Sequence, residues 1–449
     1  HNGLRLDWRR FTTEQFVDFY RNETAPLKAV TPDIPCTTNL MADYTGIDYA
    51  RFAEALDVVS WDSYPQWTSA EGNGEIGLQT SYRHDLMRGL KRRPFMLMES
   101  CPSATNWRPV AKLHRPGVHR LQSLQALAHG ADTVQYFQFR KSRGGPEQYH
   151  GAVVDHQGNE HTRVFREIAA LGDCLKGLDG LVGMDTPAAV AIIHDYETRW
   201  AWEDAKGFLQ EKTGYGETVV DHYRPFWKQG IPVDVIDINA RQSLDKYRLV
   251  VAPMLYLLRE GTAERIDAFV QNGGTFVATY GTGYVDEHAL AFLGDRPLAE
   301  TLGVRYEEID ALYPGEWNSI NWNGGSYRAF GLCELVHAEG AEVLGVYGRD
   351  FYAGSPALTV HRRGKGQAYF IAARTGSDFL NAFYRQLTAE AGIRPLFEEL
   401  PEDVTAQIRS DGTAAYVFLM NFGNGKRLVD TKSGRIILEP FEARIMESS

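Results

Sequence analysis

The stretch FMLMESCPSATNW, residues 95–107, decides how the first part of this 449-residue chain is interpreted. Its apolar start predicts a strand that is buried on both faces, as the strands of a parallel sheet are. The strand ends on Glu99, and an unpaired carboxylate is costly to bury. Glu99 could cap a helix or pair with an arginine, or it could serve a chemical function where the strand ends.

Similar apolar segments surround this strand, with helical segments between them. We predict the elements listed here: strands at 35–40, 57–65, 94–100 and 132–140, and helices at 12–27, 48–56, 78–92, 114–130 and 159–176. Strands that alternate with helices predict a parallel sheet in an α/β fold. Four such units amount to half of a (β/α)8 TIM barrel, so we assign residues 1–185 to half a barrel.

Two further units are predicted downstream. Residues 186–397 contain alternating strands and helices and are expected to form a doubly wound α/β domain. The predicted elements are strands at 187–195, 231–237, 247–258 and 274–280, helices at 215–229, 260–273 and 377–392, and a hairpin around Gly364–Gly366. Residues 398–449 contain Asp-Gly and Asn-Gly turns between alternating segments, which predicts a small antiparallel β-domain.

Composition narrows the classes of function. A formal net charge of -11 argues against nucleic-acid binding, which needs a basic surface. We find no apolar run of about 18 residues, so no membrane span is expected. The four cysteines form no metal or disulfide pattern, and the spacing of His150, His156 and His161 fits no common ligand set. We therefore expect a cytoplasmic protein without a metal ion or cofactor.

Polar side chains are predicted where the barrel strands end: Asn39, Asp62 and Tyr64, Glu99, and Arg140. In a (β/α)8 barrel the active site lies at the carboxyl ends of the strands. Tyr64 could donate a hydrogen bond to Glu99, which would favour the charged carboxylate. Trp107 lies in the loop after Glu99, and Glu147 and His150 lie in the loop after the next strand.

Carboxylates, an imidazole and aromatic rings around one opening suit a polyhydroxylated ligand. Glycoside hydrolysis uses two carboxyl groups. Glu99 with Glu147 is one candidate pair, and Glu99 with a group outside this chain is the other. The spacing of the residues does not choose between them.

Three long segments carry a resemblance to a known family. They are PCTTNLMADYTGIDYARFAEALDVVSWDSYP at 35–65, MESCPSATNWRPVAKLHRPGVHRLQSLQALAHGADTVQYFQFRKSRGGPEQYHGAVVDHQGNEHTRVFREI at 98–168, and YRLVVAPMLYLL at 247–258. Together they resemble the family 42 glycoside hydrolases, the bacterial β-galactosidases. The resemblance implies the C-terminal half of a catalytic barrel, an amidotransferase-like but non-catalytic α/β domain that forms a homotrimer, and a small β-domain.

The resemblance also implies a reaction and its residues. The expected function is a retaining β-galactosidase acting on small galactosides or galacto-oligosaccharides through a galactosyl-enzyme. The implied roles are Glu99 as nucleophile, Tyr64 as its support, Trp107 and Phe137 as aromatic walls, and Glu147 and His150 as groups that bind galactose hydroxyls. Alternatives are an α-L-arabinopyranosidase of the same fold and a non-catalytic galactoside-binding or scaffold protein.

One part of the family pattern has no counterpart in this sequence. The family's general acid/base is the glutamate of an Asn-Glu pair that precedes a segment similar to LDWRRF. Here the Asn-Glu pair is Asn22–Glu23, inside the predicted helix at 12–27, where a solvated position explains it. We expect the first half of the barrel and the acid/base to be absent from this chain and supplied by a missing N-terminal segment or another polypeptide. The 449 residues alone are then expected to be inactive.

Overall fold

The computed structural model describes residues 1–41, 44–209, 214–239, 243–431 and 434–448. Its first unit, within the described residues, is a parallel sheet of four strands with helices around it. The strands are β1 (Asn39–Met41), β2 (Ser60–Ser63), β3 (Phe95–Ser100) and β4 (Ala131–Val134), paired in that order. The helices are α1 (Asn2–Val30), α2 (Tyr49–Ala53), α3 (Asn73–Lys91), α4 (Val118–Ala128) and α5 (Arg163–Leu175).

The predicted half barrel is confirmed, with changes at the element ends. Asn39 begins β1 rather than ending it. Arg140 lies six residues beyond the end of β4, because the chain changes partner after the strand. The N–H of Phe137 bonds to Ser100 on β3, but the next N–H, of Gln138, bonds to Gly151 in the following loop.

Helix α1 begins ten residues earlier than predicted and buries Leu6, Val17 and Tyr20. The residues before position 12 include leucine and arginine, which favour helix. Glu23 lies on the exposed side of α1, as expected for a solvated residue.

Two side chains fix helix starts in the first unit. Asp48 accepts hydrogen bonds from the N–H groups of Ala50 and Arg51 at the start of α2. Thr162 accepts one from Phe165 at the start of α5. Both residues satisfy N–H groups that have no partner inside a helix.

The second unit is a mixed sheet that has eleven strands in the described part of the chain. Its strands are β5 (Val190–Ile193), β6 (Val233–Ile236), β7 (Leu249–Ala252), β8 (Thr275–Thr279), β9 (Val304–Ala311), β10 (Asn318–Trp322), β11 (Gly325–Ala338), β12 (Glu342–Tyr347), β13 (Pro356–Arg363), β14 (Gly366–Ile371) and β15 (Ala373–Thr375). Its helices are α6 (Tyr196–Asp204), α7 (Tyr215–Gln229), α8 (Thr262–Gln271), α9 (Ala299–Leu302) and α10 (Ser377–Glu390).

The predicted doubly wound arrangement is confirmed for one part of this sheet. Strands β14, β8, β7, β5 and β6 pair in parallel, in that order. An antiparallel extension, made of β13, β12, β10, β11, β15 and β9, continues from β14. Strands β9–β12 of this extension have no counterpart in the sequence-based prediction.

The third unit is the predicted small antiparallel β-domain. Its strands are β16 (Val404–Ser410), β17 (Ala415–Asn421), β18 (Arg427–Thr431), β19 (Gly434–Leu438) and β20 (Ala443–Ser448). The Asp411–Gly412 turn joins the paired strands β16 and β17, and Gly412 has a φ of 89°. The Asn424–Gly425 turn instead joins β17 to β18, which pairs with β19 in a separate two-stranded sheet.

Helix α3 holds the first unit against the other two. A Cβ added at Gly89 would lie 1.6 Å from the carbonyl oxygen of Val235 on β6, so only glycine permits this approach. A Cβ at Gly77 would lie 2.5 Å from the ring of Phe422 in the third unit. Among the described helices, none is long and apolar enough to cross a membrane.

Candidate active site

The candidate site lies where β2 and β3 end, at the carboxyl edge of the first sheet. Glu99 is the fifth residue of β3 and pairs in register with Asp62 on β2. Tyr64 follows β2 directly, and its hydroxyl donates a 2.7 Å hydrogen bond to Oε2 of Glu99. The hydrogen bond expected from the sequence is therefore present.

Tyr64 is a hydrogen-bond donor that stays protonated. Its pKa lies well above the ordinary value because the ring is partly buried, and the hydrogen bond and charge of Glu99 act in the same direction. A hydroxyl held beside a carboxylate favours the charged form of that carboxylate. Glu99 thus has a neighbour that donates a hydrogen bond to it.

Aromatic rings surround this pair. The rings of Tyr64 and Trp107 meet edge to face at 5.4 Å between centroids, and those of Tyr64 and His150 at 5.9 Å. The ring of Phe137 meets His150 in the same way at 5.2 Å. Trp107 remains 52% exposed, so part of its indole is open to a ligand. Five of the six predicted site residues are brought together by these contacts.

His150 is fully buried in this cluster. Its Nδ1 lies 3.2 Å from Oδ1 of Asn106, whose amide group donates a 2.6 Å hydrogen bond to the Pro146 carbonyl. Burial lowers the pKa of His150, and the charges of Glu147 and Glu99 oppose that effect only in part. The ring is therefore neutral, and because Asn106 presents an oxygen, Nδ1 carries the proton.

Two more groups of the predicted site could contact a ligand: the second ring nitrogen of His150 and the carboxylate of Glu147, the sixth predicted residue. Nε2 of His150 is buried and has no hydrogen-bond partner in the described part of the protein. Glu147 is partly buried in the same turn, where its main-chain oxygen accepts a 3.0 Å hydrogen bond from the N–H of His150. An acceptor nitrogen and a carboxylate thus lie close in the chain beside the aromatic rings.

Other residues around the site carry no role in the sequence-based prediction. Oδ2 of Asp62 accepts a hydrogen bond from Asn39, while its Oδ1 is buried without a partner among the described residues. Burial and the charge of Glu99 raise the pKa of Asp62 to about 6, against the opposing effect of Asn39. In the sequence, Asp62 lies two residues before Tyr64 in the strand predicted at 57–65, and this spacing indicated that it lies near Glu99.

Arg108 is a further residue that the sequence did not single out. Its guanidinium lies 4.9 Å from the centre of the Trp107 ring and donates a 2.8 Å hydrogen bond to the main-chain oxygen of Tyr64. It therefore links the loop after β3 to the end of β2. Its only signal in the sequence is that it follows Trp107.

A parallel βα sheet whose carboxyl edge presents a tyrosine-supported carboxylate among aromatic rings has the architecture of a (β/α)8-barrel glycosidase. Comparison with known proteins agrees with this class. The family model of a β-galactosidase matches residues 1–178, that of a β-galactosidase trimerisation domain matches 188–394, and that of a β-galactosidase C-terminal domain matches 403–447.

Individual relatives extend the similarity over nearly the whole chain. β-Galactosidase BglY of Alicyclobacillus acidocaldarius is 53% identical over 94% of this chain and 62% of its own length. β-Galactosidase GanA of Bacillus subtilis is 43% identical over 99% of this chain and 69% of its own length. The solved structure of a cold-adapted β-galactosidase from Rahnella sp. R3 is 48% identical, with a TM-score of 0.96 over 100% of this chain and 68% of that one.

The chain thus belongs to the family 42 glycoside hydrolases, the β-galactosidase family. It spans 62% and 64% of the length of the curated relatives from Alicyclobacillus acidocaldarius and Clostridium perfringens. The domain boundaries given above, at 185 and 397, and the roles of the individual site residues stay predictions.

Proposed function

We propose that this chain carries the nucleophile of a retaining β-galactosidase that releases terminal β-D-galactose from small galactosides or galacto-oligosaccharides. The observation that supports this most directly is the 2.7 Å hydrogen bond from Tyr64 to Glu99 at the carboxyl edge of the sheet. Membership of the β-galactosidase family supplies the sugar.

In this proposal Glu99 acts by double displacement. One carboxylate oxygen attacks the anomeric carbon while a carboxylic acid protonates the departing glycosidic oxygen, and a galactosyl ester of Glu99 results. The second carboxyl group then removes a proton from water, which attacks the anomeric carbon and releases galactose. Tyr64 orients the Glu99 carboxylate through its hydrogen bond before the attack and after release.

The remaining predicted residues would hold the sugar. Nε2 of His150 carries a free lone pair, because the proton lies on Nδ1 facing Asn106, and can accept a hydrogen bond from a galactose hydroxyl. Glu147 would accept from a second hydroxyl. Trp107 and Phe137 offer ring faces to the C–H groups of the sugar.

The second carboxyl group stays a prediction. We also propose that the protein is a homotrimer and that it is located in the cytoplasm. The match of residues 188–394 to a trimerisation domain supports the trimer.

Chemical rescue tests the nucleophile. In the intact enzyme, Glu99→Gly should abolish hydrolysis of an aryl β-galactoside, and azide should restore aglycone release with α-galactosyl azide as product. Azide takes the place of the carboxylate, so inversion at the anomeric carbon identifies the lost nucleophile. Glu147→Gly is the matched control, because it removes a carboxylate from the same opening and should give no α-azide.

The outcomes separate the alternatives. Near-normal activity of Glu99→Gly would rule out its assignment as nucleophile. An intact protein that cleaves aryl α-L-arabinopyranoside better than aryl β-galactoside would favour the arabinopyranosidase. Galactose binding without turnover of either substrate would favour a binding protein.

A further inference from the structure

Helix α2 of the first unit and the segment before it contact α6 of the second unit. The indole N–H of Trp200, on α6, donates a 2.7 Å hydrogen bond to the carbonyl of Thr45. The rings of Tyr49, on α2, and Tyr196, on α6, meet edge to face at 5.8 Å between centroids. We call this contact the α2–α6 joint. It lies beside a cavity of about 830 Å³ that residues of both units line.

Four carboxyl groups from different elements come together at the α2–α6 joint, on residues that are 0% to 9% exposed. They belong to Asp48 just before α2, Asp195 and Glu197 at the start of α6, and Asp237 after β6. Arg10, on α1, donates hydrogen bonds of 2.8 and 2.5 Å to Glu197. Arg259 contacts Glu197 at 2.7 Å and Asp195 at 3.3 Å. Both arginines are therefore bound to the carboxylates of α6.

Asp48 has no such cation. Among the residues that the structure describes, no lysine, arginine or histidine lies within the 4.0 Å of an ion pair with its carboxylate. Its Oδ1 accepts hydrogen bonds of 2.8 and 3.2 Å from the N–H groups of Ala50 and Arg51. An ionised Asp48 would thus be a buried charge beside other carboxylates, with only main-chain N–H groups to stabilise it, and this is costly.

The other charged groups nearby do not supply the missing cation. Around the cavity or beside Asp237 they are Glu14, Arg51, Glu54, Lys91, Arg93 and Arg265. Arg51 pairs with Glu14 and Glu54. Lys91 donates hydrogen bonds to two main-chain carbonyls, and Arg265 donates one to a third. Arg93 is exposed, so solvent screens its charge.

A proton on Asp48 removes the uncompensated charge. Burial raises the pKa of Asp48 to about 7, and the charges of Asp195 and Glu197 act in the same direction. The hydrogen bond from the Arg51 N–H and the charge of Arg259 oppose this rise without cancelling it. Because the folded pKa lies above the unfolded one, the folded joint keeps a proton that the unfolded chain has released. Its stability therefore falls as the pH rises towards 7 and levels off above that value.

We propose that the α2–α6 joint is a pH-sensitive switch, in which the protonated side chain of Asp48 lets α2 dock on α6 and the loss of that proton loosens the contact. The inference concerns how the first two units are joined. It does not depend on the reaction proposed above.

The switch is connected to the candidate active site through β1. The hydroxyl of Tyr49, the residue after Asp48, donates a 2.8 Å hydrogen bond to the carbonyl of Met41 and accepts one of 2.9 Å from its N–H. Met41 ends β1, and its register partner on β2 is Asp62, two residues before Tyr64. A movement of α2 therefore reaches the strand that is paired with β2.

Hydrogen exchange of the main-chain amides in the intact protein, followed by mass spectrometry, tests this inference. The measured quantity is the protection of α2, corrected for the effect of pH on the intrinsic exchange rate. In the wild type it should fall at least about 10-fold between pH 5 and pH 8, because each pH unit below the folded pKa of Asp48 changes the opening equilibrium by up to about 10-fold.

Two variants separate Asp48 from other effects of pH. Asp48→Asn keeps the oxygen that accepts hydrogen bonds at the start of α2 and carries no charge, so the protection of α2 should be the same at pH 5 and pH 8. Asp411→Asn is the matched control, because Asp411 also accepts two main-chain hydrogen bonds, each of 2.8 Å, but is exposed. This variant should behave as the wild type does.

A wild type whose α2 protection is the same at pH 5 and pH 8 would overturn the switch, and so would a fall that Asp48→Asn retains. Should Asp48→Asn melt early, Asp48→Ser decides by the same comparison, because serine also caps helices and carries no charge. No galactoside is used in these measurements. A failure of the proposed function therefore leaves the switch standing, and a failure of the switch leaves the proposed function standing.

Discussion

Arg88 on α3 is the centre of a buried network that joins the first and second units. Its guanidinium pairs with Asp85 on the same helix and lies 3.1 Å from Oδ1 of Asp234 on β6. It also donates 2.6 Å hydrogen bonds to the carbonyls of His129 and Val233. All of these side chains are almost completely shielded from solvent, so the charges depend on one another.

Replacing Arg88 by methionine keeps much of the side-chain length but leaves Asp85 and Asp234 without their shared cation. Removing one partner of a buried ion pair typically costs about 3–5 kcal/mol, because the remaining charge stays buried. Lys246 and the hydroxyl of Tyr247 still contact Asp234. Asp85 keeps its contacts with His129 and with the hydroxyl of Tyr223. For a cooperative unit of 150–250 residues this corresponds to a fall in melting temperature of roughly 6–20 °C.

The effect of Arg88→Met should depend on pH. Burial is the largest single effect and acts to raise the pKa of Asp85, but the charge of Arg88 together with His129 and Tyr223 outweighs it, and the pKa lies below its ordinary value. A carboxyl with a lowered folded pKa stabilises the fold above its unfolded pKa, and this stability is lost as the pH falls through the folded value. Without Arg88, Asp85 takes up a proton more readily and is relieved of its buried charge.

The difference in the free energy of unfolding between wild type and variant should therefore become smaller as the pH falls from 7 towards 4. Urea unfolding at several pH values measures it. Arg435→Met is the control, since it removes an arginine whose partner Asp430 is well exposed, and no measurable change is expected. A loss below about 1 kcal/mol at pH 7, or a loss that is the same at pH 4.5, would refute the argument for a buried, dominant ion pair.

Two further predictions concern the site and the packing of α3. Tyr64→Phe removes the hydrogen-bond donor to Glu99. Because hydrogen bonds to charged groups are worth about 1.5–3 kcal/mol, kcat/KM for an aryl β-galactoside in the intact enzyme should fall about 10- to 150-fold. Unchanged activity would contradict this expectation. Gly89→Ala places a methyl group against the carbonyl of Val235, so α3 must move off β6; a clear drop in melting temperature is expected, whereas Gly172→Ala, in open space on α5, should show little change.

Much of the candidate site could be predicted from the sequence because its elements are local. Strand β3 is a continuous apolar segment, and its single carboxylate marks the carboxyl end. The short spacing from β2 to Tyr64 predicted the hydrogen bond to Glu99, since adjacent parallel strands bring their ends to one edge. The partners of His150 could not be predicted in this way, because Asn106 reaches it from a different loop.

The antiparallel extension shows where such reasoning fails. Strands β9–β12 are partly exposed, and their pairing crosses the chain order: β9 pairs with β11, and β10 pairs with both β11 and β12. Neither a continuous apolar segment nor a regular alternation marks them. They became strands because neighbouring segments supply hydrogen-bond partners, and that information is not local.

The sequence by itself determined the half barrel, the doubly wound strands, the small β-domain and the carboxylate at the end of β3. Each of these follows from the length and polarity of a short segment, which local physics translates into structure. Only the tertiary structure decided which groups shield one another from water: the buried Arg88 between two units, and His150, whose Nε2 has no hydrogen-bond partner among the described residues. Burial and charge compensation depend on residues far apart in the chain, so they exist only once it has folded.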